Sequence, residues 1–137
     1  EDPALDDAAI DRAVAAFHRV IAAQAVRDAL SRRGATGLWR EQAFALRDGD
    51  RLLLGRFDRV VFIPAGDAGP ASAVVIDFKT DRITLHGVDD AVAHHAPQMH
   101  AYRRAAAAWF GLPLEQVTAE LVFTAAGVVA SLPGREA

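Results

Sequence analysis

Residues 73–80, Ala73-Val74-Val75-Ile76-Asp77-Phe78-Lys79-Thr80, decide how the chain is read. From Ala73 to Phe78 the run is short and apolar, as in a strand buried on both faces. Asp77 interrupts it. Strand alternation puts Asp77 and Lys79 on one face and Phe78 on the other. A carboxylate among such neighbours is costly unless it is paired or bound to a metal. The plainer alternative is a same-face ion pair between Asp77 and Lys79. The segment therefore reads as a central strand that carries a charged pair.

Working outward, Trp39–Leu46 and Arg51–Ile63 are predicted to be two strands joined at Asp48-Gly49, a dipeptide favoured in tight hairpins. Asp58 lies on the second of them, within Gly55-Arg56-Phe57-Asp58-Arg59. A simple hairpin-plus-strand sheet brings Asp58 beside Asp77, although Arg56 and Arg59 also offer it partners. Residues 64–72 (PAGDAGPAS) are a loop by composition. Ahead of the hairpin, Ile10, Val14, Phe17, Ile21 and Leu30 recur at helical spacing. They predict a helix from Asp7 to Arg33, capped by Asp6 or Asp7 and closed at Arg32-Arg33-Gly34. After a polar connection, a second helix is expected from Asp89 or Asp90 to Trp109, closing at Gly111-Leu112-Pro113. Strands at Val117–Thr124 and Val128–Leu132 follow. The order predicts an α/β fold with a mixed central sheet of four to five strands flanked by helices.

At 137 residues the chain fits a single domain, 1–137. Its 52% hydrophobic and 24% charged residues are ordinary for a globular protein. No apolar stretch approaches the ~18 residues of a membrane span, and the acidic start does not resemble a signal peptide. With no cysteine, the chain has no disulfide, thiolate zinc site or iron–sulfur cluster of its own. A cytoplasmic protein is expected. Met99 is the only methionine, which reads as a domain excised from something longer. The net charge of −3 is unexpected for a protein that grips DNA alone, because phosphate neutralisation supplies most non-specific affinity.

Chemistry concentrates on the acid–acid–lysine set. Two carboxylates about 4 Å apart repel by roughly 4 kcal/mol at an effective dielectric of 20. A divalent cation turns that repulsion into attraction, and oxygen ligands suit Mg²⁺, with Mn²⁺ as a substitute. Lys79 is placed to orient a water or to stabilise charge on a phosphate.

Gly55-x-x-Asp58-Arg59, Ile76-Asp77-Phe78-Lys79-Thr80 and Gln98-x-x-x-Tyr102, in that order, resemble the signature of the RecB-type branch of the PD-(D/E)XK nucleases. Trp39-Arg40-Glu41 and Leu121-Val122-Phe123-Thr124 agree in position. The similarity covers residues 38–132 and is weaker over the first helix. Within the branch, the chain resembles the C-terminal nuclease domains of bacterial helicase–nucleases of the AddA kind, which process double-strand breaks. The resemblance implies a restriction-endonuclease-like core. It implies that Asp58, Asp77 and the Phe78 carbonyl hold the metal and that Lys79 is the catalytic lysine. Glu41 would stand at the edge of the site, acting through water. Gln98 and Tyr102, four residues apart on one helical face, would steady the site and touch the strand. The implied partners are single-stranded DNA or unwound duplex ends, the helicase portion of the same chain and a second helicase–nuclease subunit.

One departure concerns histidine. The branch usually carries a metal-binding histidine on a helix well upstream of the first strand. His18 is close to Glu41 and reads as a helix-surface residue, so that helix is expected outside this piece. The iron–sulfur relatives place cysteines around the same core, and their absence here favours the AddA-like kind. His94 and His95 point roughly 100° apart on a helix and are expected to face DNA or solvent. Trp109 and Phe110 are expected in the core or on a docking surface for the parent helicase. Two other readings stand beside the nuclease: a silent nuclease-like module that binds DNA or a partner, and a structural domain that docks on another subunit.

Overall fold

The computed structural model describes residues 7–22, 26–28, 31 and 37–132. Helix α1 (Asp7–Ala22) precedes a hairpin of β1 (Gly37–Asp48) and β2 (Arg51–Ile63). Strand β3 (Ser72–Lys79), helix α2 (Val88–Phe110), β4 (Val117–Phe123) and β5 (Val128–Leu132) follow. The five strands form one sheet in the order β1-β2-β3-β4-β5. All neighbouring pairs are antiparallel except β3 and β4, which run parallel and are joined through α2. This is the restriction-endonuclease-like α/β architecture.

Strand β3 is central because both of its faces are sealed. Ala73 and Val75 join Phe57, Val60, Met99, Ala119, Leu121 and Phe123 in a core under α2. Val74 and Ile76 pack with Val26, Val61 and Val122 on the opposite face. Each fully buried aliphatic side chain contributes roughly 1.5–3 kcal/mol, so this run anchors the sheet. Ala105, Ala106 and Ala107 present the buried stripe of α2, where small side chains let the helix approach closely. Gly111 ends the helix in a left-handed conformation, its N–H returning to the Ala107 carbonyl.

Some boundaries move. Strand β1 begins at Gly37 and reaches Asp48, because the hairpin ladder runs from Gly37↔Phe62 to Asp48↔Arg51. Helix α2 begins at Val88, with Asp89 and Asp90 in its first turn, where carboxylates meet the positive end of the helix. Helix α1 spans Asp7–Ala22 and the backbone is helical again at 26–28, while residues 23–25 of the expected helix lie outside the described residues. The expected Asp6 cap and the Arg32-Arg33-Gly34 end lie outside the described residues. Thr124 falls just beyond β4.

The hairpin changes its pleat midway, and that change positions the site. In β2, Val61 packs on the Val26 side and Phe62 stacks on Phe110 of α2. Nearer the turn, Phe57 also meets α2 through Tyr102, so residues 57 and 62 share a face despite odd spacing. Strand β1 resets at the matching place, because Arg40 pairs with Arg59 and Gln42 with Phe57. Glu41 lies between them with φ 48, the one described non-glycine residue with positive φ. Such a backbone costs on the order of 1–3 kcal/mol. Asp58 is its cross-strand counterpart, at the point where alternation slips.

Candidate active site

Pairing between β2 and β3 stops at Arg59↔Ile76. One step further on, Asp58 and Asp77 face each other across the two strands, and the Phe78 N–H has lost its ladder acceptor. The Asp58 side chain fills that role: Oδ2 accepts the Phe78 N–H at 2.9 Å. One carboxylate thus closes the open end of the ladder while standing beside a second.

Asp77 is 6% exposed at the end of the apolar run. Lys79 Nζ lies 2.5 Å from Asp77 Oδ2. The two form a close ion pair within a largely buried strand end. Lys79 Nζ also donates to Gln98 Oε1 at 2.8 Å, and Gln98 Nε2 donates to the Tyr102 hydroxyl at 3.1 Å. Acid, amine, amide and phenol form one row from β3 along α2. Its far end is set in aromatic packing: the Tyr102 ring meets Phe44 and Phe57 edge-on at 5.2 and 5.7 Å, and those two stack at 4.4 Å. Gly55 makes room for this cluster. A Cβ there would fall 2.6 Å from the Phe44 ring and 3.1 Å from Tyr102, which gives Gly55-x-x-Asp58 a physical reason for its glycine.

Burial raises the pKa of Asp77 above its ordinary 3.8, Lys79 opposes the rise and Asp58 adds to it. A desolvated carboxylate beside another is a place that favours a cation. These donors are hard oxygens and fit Mg²⁺ or Mn²⁺. Among the described residues, no three His, Cys, Asp or Glu side chains converge as a metal cluster. Glu41 is exposed and does not close with Asp58 and Asp77 into a three-carboxylate set. His18 lies on α1, and its side chain falls outside the described residues, as does that of Trp39.

Among the other candidates, His95 stands differently from its expectation. His95 is not merely solvated. Its Nε2 lies 2.8 Å from Asp81 Oδ2, and its side chain is 14% exposed. The bond from His95 holds the Asp81 carboxyl below its usual range. His94 is exposed, with its ring 4.9 Å from that of His95. Phe110 packs on Phe62, whereas Trp109 is 69% exposed beside a groove lined by Phe44, Leu46 and Ala105.

Two features went unread in the sequence. Thr124 donates through both its backbone N–H (3.0 Å) and its Oγ1 (3.2 Å) to the Lys79 carbonyl, fixing the lysine's peptide. Composition carries a further signal, because of 15 Lys and Arg residues Lys79 is the sole lysine. Lysine offers a compact amine of tunable pKa where arginine offers a fixed, delocalised charge. No curated protein matches the chain significantly. The family model described as the PD-(D/E)XK nuclease superfamily matches residues 2–134, and the chain belongs to that superfamily.

Proposed function

We propose that the chain is the metal-dependent DNA nuclease domain of a double-strand-break repair helicase–nuclease of the AddA/RecB kind, hydrolysing phosphodiester bonds. The observation that carries this reading is the meeting of Asp58, Asp77 and Lys79 at the open end of the β2–β3 ladder. Asp58, Asp77 and the Phe78 carbonyl would hold the cation. Such an ion supplies Lewis acidity toward a phosphate oxygen and makes a nearby water more acidic.

The remaining steps belong to the chain's own side chains. An ammonium has three N–H donors. Gln98 and Asp77 occupy two directions at Lys79, which leaves the third for a substrate oxygen or the attacking water. Its positive charge then lies where charge develops on the phosphate, which is where a preorganised donor accelerates hydrolysis. Gln98 and Tyr102 keep the amine in place, and Glu41 stands at the margin of the cleft. Because the net charge is −3, the domain alone should hold DNA weakly, with affinity falling as salt rises. A helicase in the same chain, with a second subunit, would supply unwound strands at high local concentration.

The test is cleavage of end-labelled single-stranded DNA with Mg²⁺ or Mn²⁺, against controls with chelator and with Lys79→Ala. Metal-dependent cutting lost in both controls supports the proposal. DNA binding without cutting at saturating metal would favour a silent nuclease-like module.

A further inference from the structure

Residues 78–81 carry the lysine out of the sheet and are tied at three places. Asp58 accepts the Phe78 N–H, Thr124 doubly holds the Lys79 carbonyl, and Asp81 meets His95. The third tie has no part in the nuclease chemistry described above. His95 and Gln98 are three residues apart and so share a face of α2. Lys79–Gln98 at 2.8 Å and Asp81–His95 at 2.8 Å are therefore two rungs joining one stretch of chain to one helix face. A single rung leaves the exit from β3 free to pivot about it, whereas two rungs fix both its position and its angle.

The imidazole is suited to the task. Its ring centroid lies 6.4 Å from that of Phe123 at the end of β4. Its side chain is 14% exposed, against 37% for Asp81. An exposed ion pair contributes little stability, but a ring packed on the core gives this contact a fixed direction. We propose that His95 is a positioning residue: through Asp81 it fixes the chain leaving β3 so that the Lys79 ammonium stays on Gln98 and Asp77. The catalytic consequence rests on the nuclease reading, while the structural one does not.

Because Lys79 is the sole lysine, protein labelled with isotopic lysine gives one side-chain NMR signal, read without any reaction. His95→Ala and Asp81→Ala should each shift it, and the double variant should shift it no further, since the pair acts as one unit. His95→Gln, whose amide still reaches a carboxylate, should return it toward wild type. In cleavage assays His95→Ala should lower kcat about tenfold or more, as small misplacements do, and leave KM within about twofold. Asp81 is only half-buried, so Asp81→Ala carries the comparison if His95→Ala fails to fold. A Lys79 signal unmoved in folded Asp81→Ala would overturn the proposal. So would a rise in KM alone, which would make His95 a DNA contact. Wild-type protein that does not cut DNA sinks the nuclease reading and leaves the NMR comparison standing.

Discussion

Strand β3 has two halves that hold their backbone differently. From Ser72 to Ile76 it is paired with β2 on one side, and from Ala73 with β4 on the other, with apolar side chains sealed on both faces. From Asp77 onward the β2 ladder is gone while pairing with β4 continues to Lys79↔Phe123, and polar contacts are added: Asp58 accepts the Phe78 N–H, Thr124 donates to the Lys79 carbonyl and His95 meets Asp81. The first half is held by regular pairing and burial, which any fitting aliphatic residue satisfies. The second keeps its β4 pairing but on the β2 side depends on particular polar groups. The candidate site thus lies where one side of the strand loses its neighbour while the other stays paired.

Four substitutions break or sharpen this contrast. Lys79→Ala in the polar half should slow DNA cleavage by about 10²–10⁴-fold, the range for losing a positioned proton-transfer or charge-stabilising group, measured as single-turnover rates. Ile76→Ala in the sealed half should cost about 2–5 kcal/mol of stability in urea unfolding, because its side chain is fully buried. Metal affinity of the folded fraction should not change. Asp58 separates the two roles within one residue. Asp58→Ala leaves the Phe78 N–H without an acceptor and should cost about 1 kcal/mol. Asp58→Asn keeps an acceptor oxygen and should melt near wild type, yet both variants should lose metal binding.

A stability change of opposite sign is expected at Asp77. Its carboxyl holds its proton more tightly folded than unfolded. Its stability contribution is therefore complete below the unfolded value of 3.8 and is lost as pH rises through the raised folded value. Asp77→Asn should accordingly be more stable than the metal-free wild type at neutral pH. The gap should close on acidification, as followed by thermal melts across pH.

Legibility in the sequence follows the same division. The sealed half was readable, because an apolar run between turn signals has few alternatives, and alternation alone put Asp77 and Lys79 together. The placing of Asp58 opposite Asp77 needed only the hairpin. Its bond to the Phe78 N–H depends on where β2 parts from β3, which no local pattern encodes. Glu41 gave no sign of its positive φ, since the pleat resets through the pairing of two strands. Asp81 sits in a polar connection and His95 beside another histidine, so each looked solvated until α2 was laid across the sheet. The lone lysine among 15 cationic residues was visible throughout, and it points to position 79 without any motif.

Calorimetric titration of Mn²⁺ into wild type and Asp77→Asn tests the central claim most directly. Wild type should bind the ion at a site that Asp77→Asn abolishes. Melts should rise with metal only in wild type, by about 2.7 kcal/mol when the free ion is at 100 times its dissociation constant. Equal heats from both proteins, or none from folded wild type, would contradict a metal-dependent site at Asp58 and Asp77.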